Sequence, residues 1–179
     1  MRMWLAIGLA VLVLIAALAA EERSGLLSAG DRAPNFTARL HDGTTVNLAD
    51  ILSRQAVVLF FYPKDFTSGC TKEVCAFRDR YDRLKTFNAA IFGVSGDDDL
   101  SHASFASRYR IPYPLISDTD GSIRRAYGAL RLGGLVPFAK RVTYVIGRDG
   151  VIHLVSHHEI GIDEHVDEVF AVLERWQDN

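Results

Sequence analysis

Seven consecutive residues, Ala56-Val-Val-Leu-Phe-Phe-Tyr62, are apolar and rich in β-branched and aromatic side chains, with no polar position to turn toward water. A strand points successive side chains to opposite faces, so a run without alternation predicts a strand covered on both faces. Such a strand must lie inside a sheet flanked by other layers, which restricts the fold more than any other segment does. Pro63 ends it. From about Ser68 to Phe87 the spacing turns helical, with Cys70, Val74, Phe77, Tyr81 and Leu84 on one stripe. Ala89 to Val94 reads as another buried strand.

The flanking segments fill in the same architecture. Asn35 to Leu40 and Thr44 to Asn47 surround His41-Asp42-Gly43, the pattern of a hairpin with an Asp-Gly turn. Asn47 is placed to cap a short helix through about Ser53. Asp99 to Tyr109 reads as a helix, and Pro112 and Pro114 bracket an extended piece before Ser117. Ser122 to Tyr127 is a short helix stopped by Gly128. Arg141 to Ile146 and Val151 to Val155 alternate about Arg148-Asp149-Gly150, a second hairpin. Val166, Val169, Phe170, Leu173 and Trp176 mark a closing amphipathic helix. Strands alternating with helices, then a hairpin and a helix, predict an α/β sandwich with a mixed central sheet.

At 179 residues there is room for one globular domain. With 20 Lys and Arg against 22 Asp and Glu, and no dense basic block, a strongly electrostatic nucleic-acid binder is excluded. The apolar content is unevenly spread. Met3 to Ala20 is an 18-residue run in which only Gly8 lies outside the apolar set, and without it the hydrophobic share falls to about 44%, ordinary for a soluble domain. Arg2 precedes the run and Glu21-Glu22-Arg23 follows it. At ~1.5 Å per residue the run spans roughly 27 Å, bilayer length, which favours an N-terminal hydrophobic helix that anchors the chain. Ala17-Leu18-Ala19 is the small-x-small pattern of a cleaved signal, so both readings stand. Either one sends the domain across the membrane, to the periplasm or the outer face of the inner membrane, tethered or released. The division is then 1–20 leader, 21–29 linker and 30–179 domain. An exported domain meets an oxidising compartment.

Two cysteines are too few for a disulfide-stapled scaffold, and they stand five residues apart. Cys70 falls in the first turn of a helix that follows a buried strand, where unpaired N–H groups and the helix dipole favour a thiolate, the nucleophilic form. A cysteine on an apolar stripe is otherwise simply a small buried hydrophobe. Cys75 separates the two readings. On one regular helix a five-residue step turns about 140° and leaves the Cα atoms roughly 8.6 Å apart, beyond disulfide reach. A bond between them requires the helix to unwind, so a transient disulfide would act as a redox-driven switch.

Pro63-Lys-Asp-Phe-Thr67-Ser-Gly-Cys70 followed by Thr-Lys-Glu73-Val-Cys75 resembles the active-site loop of the peroxiredoxins, in particular the bacterioferritin-comigratory or Q-type subfamily. That subfamily carries a P-x-x-x-T-x-x-C signature with a resolving cysteine five residues on. The likeness runs from Gly30-Asp-Arg-Ala-Pro-Asn-Phe36 through Phe77-Arg-Asp79 and Gly93-Val-Ser95 to Arg141-Val-Thr-Tyr-Val-Ile146. Ser68 stands where the subfamily usually has proline, and the hydrophobic leader is a further departure. The resemblance implies a thioredoxin-like sandwich and a thiol-dependent peroxidase acting on hydrogen peroxide and organic hydroperoxides.

By the same resemblance Cys70 is the peroxidatic nucleophile and Cys75 the resolving thiol. Thr67 orients its hydroxyl toward thiolate and peroxide, and Arg141 stabilises both the thiolate and the developing oxyanion with its donor fork. Pro63 shields the pocket and Glu73 holds Arg141. Outside that role Thr67 is a helix cap, Arg141 an exposed strand start, Glu73 a solvated helix residue and Pro63 a strand terminator. The resemblance calls for no metal, flavin or haem. A thioredoxin-like or glutaredoxin-like dithiol regenerates the pair, and because both cysteines sit in one chain a monomer or weak dimer suffices.

Two other classes share the fold. A membrane-tethered thiol–disulfide oxidoreductase would carry C-x-x-C and a proline where Val142 stands. A copper-binding assembly factor would join two thiolates to a histidine such as His153, His157 or His158, with a three-residue cysteine spacing that is absent here. Asp97-Asp98-Asp99 reads as acids gathered ahead of a helix N-terminus, and Gly133-Gly134 follows no phosphate-binding pattern.

Overall fold

The computed structural model describes residues 25–158 and 161–177. The hydrophobic helix expected over 1–20, and the linker through residue 24, lie outside the described residues.

Among the described residues the first elements are β1 (Thr37–Arg39) and β2 (Thr45–Asn47), a hairpin paired antiparallel. Asn47 then caps α1 (Leu48–Leu52), its side chain accepting from the Ala49 N–H. There follow β3 (Ala56–Phe61), α2 (Ser68–Asp79), α3 (Tyr81–Thr86), β4 (Ala89–Ser95) and α4 (Asp99–Tyr109). Next come β5 (Leu115–Ser117), α5 (Ser122–Ala126), a 3₁₀ turn (Arg131–Gly134), β6 (Val142–Ile146), β7 (Ile152–His157) and α6 (Ile162–Gln177).

Five strands form the central sheet in the order β5-β4-β3-β6-β7. β3 pairs parallel with β4 and antiparallel with β6, so the sheet is mixed. The apolar run of β3 is explained by what covers it. Val58, Phe60 and Tyr62 join Val74, Phe77, Phe105, Val169 and Phe170 on one face. Val57, Leu59 and Phe61 join Leu48, Ile51, Ile123 and Tyr144 on the other. All six β3 residues are buried.

Two expectations are corrected. The helix expected from Ser68 to Phe87 is two helices, broken at Arg80 (φ −110°, ψ 10°). The apolar stripe resumes at once, with Leu84 buried, so periodicity cannot register a one-residue break. A long-range contact occupies the break, where the Arg80 guanidinium reaches Asp167 on α6 and lies over the Phe170 ring. The alternation read in β6 does not expose one face either. All five residues are buried, because β6 lies between β3 and β7 and is covered on both sides.

Gly128 ends α5 in the left-handed region (φ 65°), and a Cβ there would overlap the Gly25 carbonyl oxygen and stand 2.9 Å from the Leu26 nitrogen. The start of the described chain is thereby seated on the α5 terminus. Gly128→Ala adds backbone strain to a clash that no side chain can relieve. It is expected to lower stability by roughly 2 kcal/mol or more, read from the urea midpoint at unchanged slope.

Candidate active site

β3 releases the chain from the centre of the sheet at Phe61, and residues 62–67 turn it onto α2. A buried polar cluster holds that turn. The Asp65 carboxylate accepts from the Tyr62 hydroxyl (2.7 Å) and the Ser101 hydroxyl (2.8 Å) and faces His102 Nδ1 at 2.9 Å. The Asp65 N–H donates to Asp97 (2.9 Å), which also accepts from the Ser95 hydroxyl (2.6 Å). The other His102 nitrogen lies 3.2 Å from the Ile116 carbonyl. Phe66 is thereby held in the left-handed region (φ 61°), its ring against Phe105. A bulky residue in that conformation persists only where its surroundings enforce it.

Thr67 occupies the N-cap position of α2 in extended conformation, but its side chain makes no capping bond and its hydroxyl donates to the Lys64 carbonyl (3.0 Å). Ser68, Gly69 and Cys70 form the first turn, whose N–H groups no helix carbonyl can satisfy. Cys70 is 1% exposed. Arg141, immediately before β6, brings Nη2 to 3.6 Å from Cys70 Sγ while Nη1 donates to Glu73. Gly69 makes room for this approach, since a Cβ there would stand 3.2 Å from the same Nη2. Burial works against the Arg141 charge, but Glu73 and the Cys70 sulfur outweigh it and hold its pKa above the ordinary value.

Behind the ion pair the polar chain continues. The second Glu73 oxygen lies 3.5 Å from His165 Nε2, a nitrogen that also meets the Thr143 hydroxyl. Ser156 Oγ stands 3.3 Å from His165 Nδ1 and donates to Glu168 (2.6 Å), which faces His158 (3.1 Å). Burial, with the nearby charges of His158 and Arg141, pushes the His165 pKa down to about 4. The imidazole is therefore neutral at pH 7.

Cys75 lies farther along the same helix, half-buried and unbonded to Cys70. Burial pushes its thiol up, with the Arg78 guanidinium opposing. Between the two cysteines the Val74 carbonyl accepts from the buried Tyr113 hydroxyl (2.7 Å).

Of the residues singled out from the sequence, Cys70, Glu73 and Arg141 meet in direct contact. Thr67 stands one turn before the sulfur with its proton committed elsewhere, and Pro63 is half-buried at the head of the turn. Cys75 is held apart by the intact helix. The Asp97–Asp99 run is divided among three tasks. Asp97 serves the turn, Asp98 caps α4 through the Ser101 N–H, and Asp99 pairs with Arg39. His153 faces Asp149 rather than a cysteine. Sequence reasoning missed Asp65, His102, Gly69 and His165. Only His165 carried a signal, as a titratable group on the apolar stripe of α6.

Residues 29–155 match the model of the AhpC/TSA family. The chain is 40% identical over 151 residues to "Peroxiredoxin Q, chloroplastic" of Oryza sativa subsp. japonica, covering 84% of this chain and 68% of that one. It is 41% identical over 149 residues to the protein of the same name from Gentiana triflora, covering 83% and 67%. Among solved structures, peroxidoxin BcpB of Mycobacterium tuberculosis superposes with a TM-score of 0.78 at 38% identity, covering 83% of this chain and 97% of that one. Peroxiredoxin Q of Xanthomonas campestris gives 0.72 at 29% identity, covering 78% and 90%.

The depressed His165 pKa sets a pH dependence. Below pH 6.5 the unfolded chain takes up a proton that the folded one refuses until about pH 4, so stability falls as pH drops through that interval and levels off below it. The full loss is at most about 3 kcal/mol. Urea midpoints between pH 7 and 5, above the range where carboxylates titrate, are expected to decline in the wild type and to flatten in His165→Gln.

Proposed function

Because the chain belongs to the AhpC/TSA family of peroxiredoxins, in its Q-type branch, we propose that Cys70 is the peroxidatic nucleophile and Cys75 the resolving thiol of a two-cysteine thiol peroxidase. The observation that carries this assignment is the division of the Arg141 guanidinium between Cys70 Sγ and Glu73. A fixed positive fork beside a buried sulfur balances charge on the thiolate and on the oxygen that leaves. Arg141 Nε is buried and has no hydrogen-bond partner among the described residues, which leaves one donor open for a peroxide oxygen.

The Cys70 thiolate attacks the protonated peroxide oxygen, the O–O bond breaks to leave that oxygen on sulfur as a sulfenic acid, and the other oxygen departs as hydroxide or alkoxide and takes a proton from solvent. Thr67, whose own proton is given to Lys64, keeps oxygen lone pairs to accept from the peroxide O–H. The Cys70 sulfenic acid then condenses with Cys75, releasing water and forming the disulfide. That step requires α2 to unwind past the Tyr113–Val74 bond and the Lys72–Asp163 bridge (2.8 Å). A thioredoxin-like or glutaredoxin-like dithiol regenerates both thiols by exchange. The apolar run at 3–20, of bilayer length behind Arg2, supports a domain held outside the cytosol and anchored through that run. Intact mass measured in membrane and soluble fractions tests the anchoring.

Reduced protein mixed with one equivalent of hydrogen peroxide is expected to lose both thiols far faster than free cysteine does. Cys70→Ser abolishes the fast phase. Cys75→Ser keeps it but consumes one thiol and accumulates sulfenic acid, which only a further equivalent of peroxide carries on to sulfinic acid. Oxidation no faster than that of free cysteine would sink the assignment. Arg141→Lys keeps the charge but loses the fork, and is expected to slow the fast phase by roughly 10- to 100-fold.

A further inference from the structure

Five large apolar side chains are strongly exposed among the described residues, and three of them fall within seven positions. They are Leu132 (40%), Leu135 (80%) and Phe138 (41%). The loop that carries them is firmly built. Its base is closed by Lys140 N–H to Ala129 O (2.7 Å) and Arg131 N–H to Phe138 O (3.1 Å), and Leu130 bridges Ala139. The buried Arg124, locked to Asp118, donates to the Pro137 carbonyl (2.6 Å) and pins the far limb. A pinned loop that keeps three such side chains in water marks a contact surface.

The start of the described chain indicates what the surface meets. Gly25 is seated against Gly128, two residues before Leu130 opens the loop. Only residues 21–24 separate Gly25 from the end of the apolar run at Ala20, so the run ends within about 18 Å of that seat even with the linker fully extended. No Asp or Glu occurs between Asp120 and Asp149, and exposed Arg125 precedes the loop in sequence. We propose that Leu132, Leu135 and Phe138 insert into the headgroup region of the bilayer in which residues 3–20 are anchored, making a second, interfacial contact beside the tether. The inference rests on the anchoring reading above. Because Arg141 follows Phe138 by three residues, docking at this loop holds the Cys70 site close to the membrane surface.

The test uses the full chain reconstituted in vesicles of phosphatidylcholine and phosphatidylglycerol, with or without bromine on the acyl chains near the carbonyl. Wild-type protein is first floated with the vesicles. The emission that Leu135→Trp adds to the wild-type signal is then compared between the two lipids. The proposal expects flotation, and quenching of the added emission by roughly twofold or more, as for a ring at the headgroup–acyl boundary. Protein left in the aqueous phase overturns the anchoring and the docking together. Protein that floats while the added emission escapes quenching overturns the docking alone. The mass of the detergent-solubilised chain covers the remaining occupant. A dimer that Leu135→Glu converts to monomer assigns the loop to a second copy and overturns the proposal.

Discussion

A buried positive charge governs this site. Arg141 is 6% exposed, and a guanidinium so far from water is tolerable only where a carboxylate meets it. Glu73 supplies that carboxylate from the same helix as Cys70, so the residue that neutralises Arg141 also positions it against the sulfur. His165 and Thr143 stand behind Glu73, drawing α6 and β6 into the arrangement. A neutral His165 adds no second positive charge to compete with the arginine. The geometry at sulfur thus depends on contacts from three separate elements.

Catalysis by this cysteine pair asks opposite things of neighbouring segments. The 62–67 turn must stay fixed to aim the helix at Arg141, and the Asp65 cluster clamps it with buried hydrogen bonds. The first turn of α2 must yield, because Cys75 cannot reach Cys70 across a regular helix. The local chemistry matches that demand. Thr67 gives the helix no side-chain cap, and Gly69 is a poor helix former. Besides the Glu73–Arg141 pair, the middle of α2 is held by two single polar contacts, Tyr113 on Val74 and Asp163 on Lys72. A rigid turn beside a weakly held first turn is a low-stability unit placed next to a high-stability one.

Much of this was legible beforehand. The unbroken apolar run of β3 forced a strand covered on both faces, and the layers are found on both. Asn47 and the left-handed Gly128 end elements where their chemistry says they should. Cys70, Glu73 and Arg141 were named before they were seen to touch. The break at Arg80 was invisible because the apolar period continues through it, and the full burial of β6 because a strand cannot report how many layers cover it. Asp65 and His102 left no trace either. They are 37 residues apart, and a polar residue inside a core looks the same in sequence as one in a loop.

Local sequence determined most of the elements and singled out the candidate site residues, since periodicity, capping and the spacing of two thiols act over a few residues. Tertiary structure alone decided that Glu73 turns one oxygen to Arg141 and the other toward His165, that Gly69 lets the guanidinium approach the helix, and that the start of the described chain rests beside the exposed apolar loop. Those outcomes depend on packing between elements distant in sequence, where burial and charge are set by neighbours that no local pattern encodes.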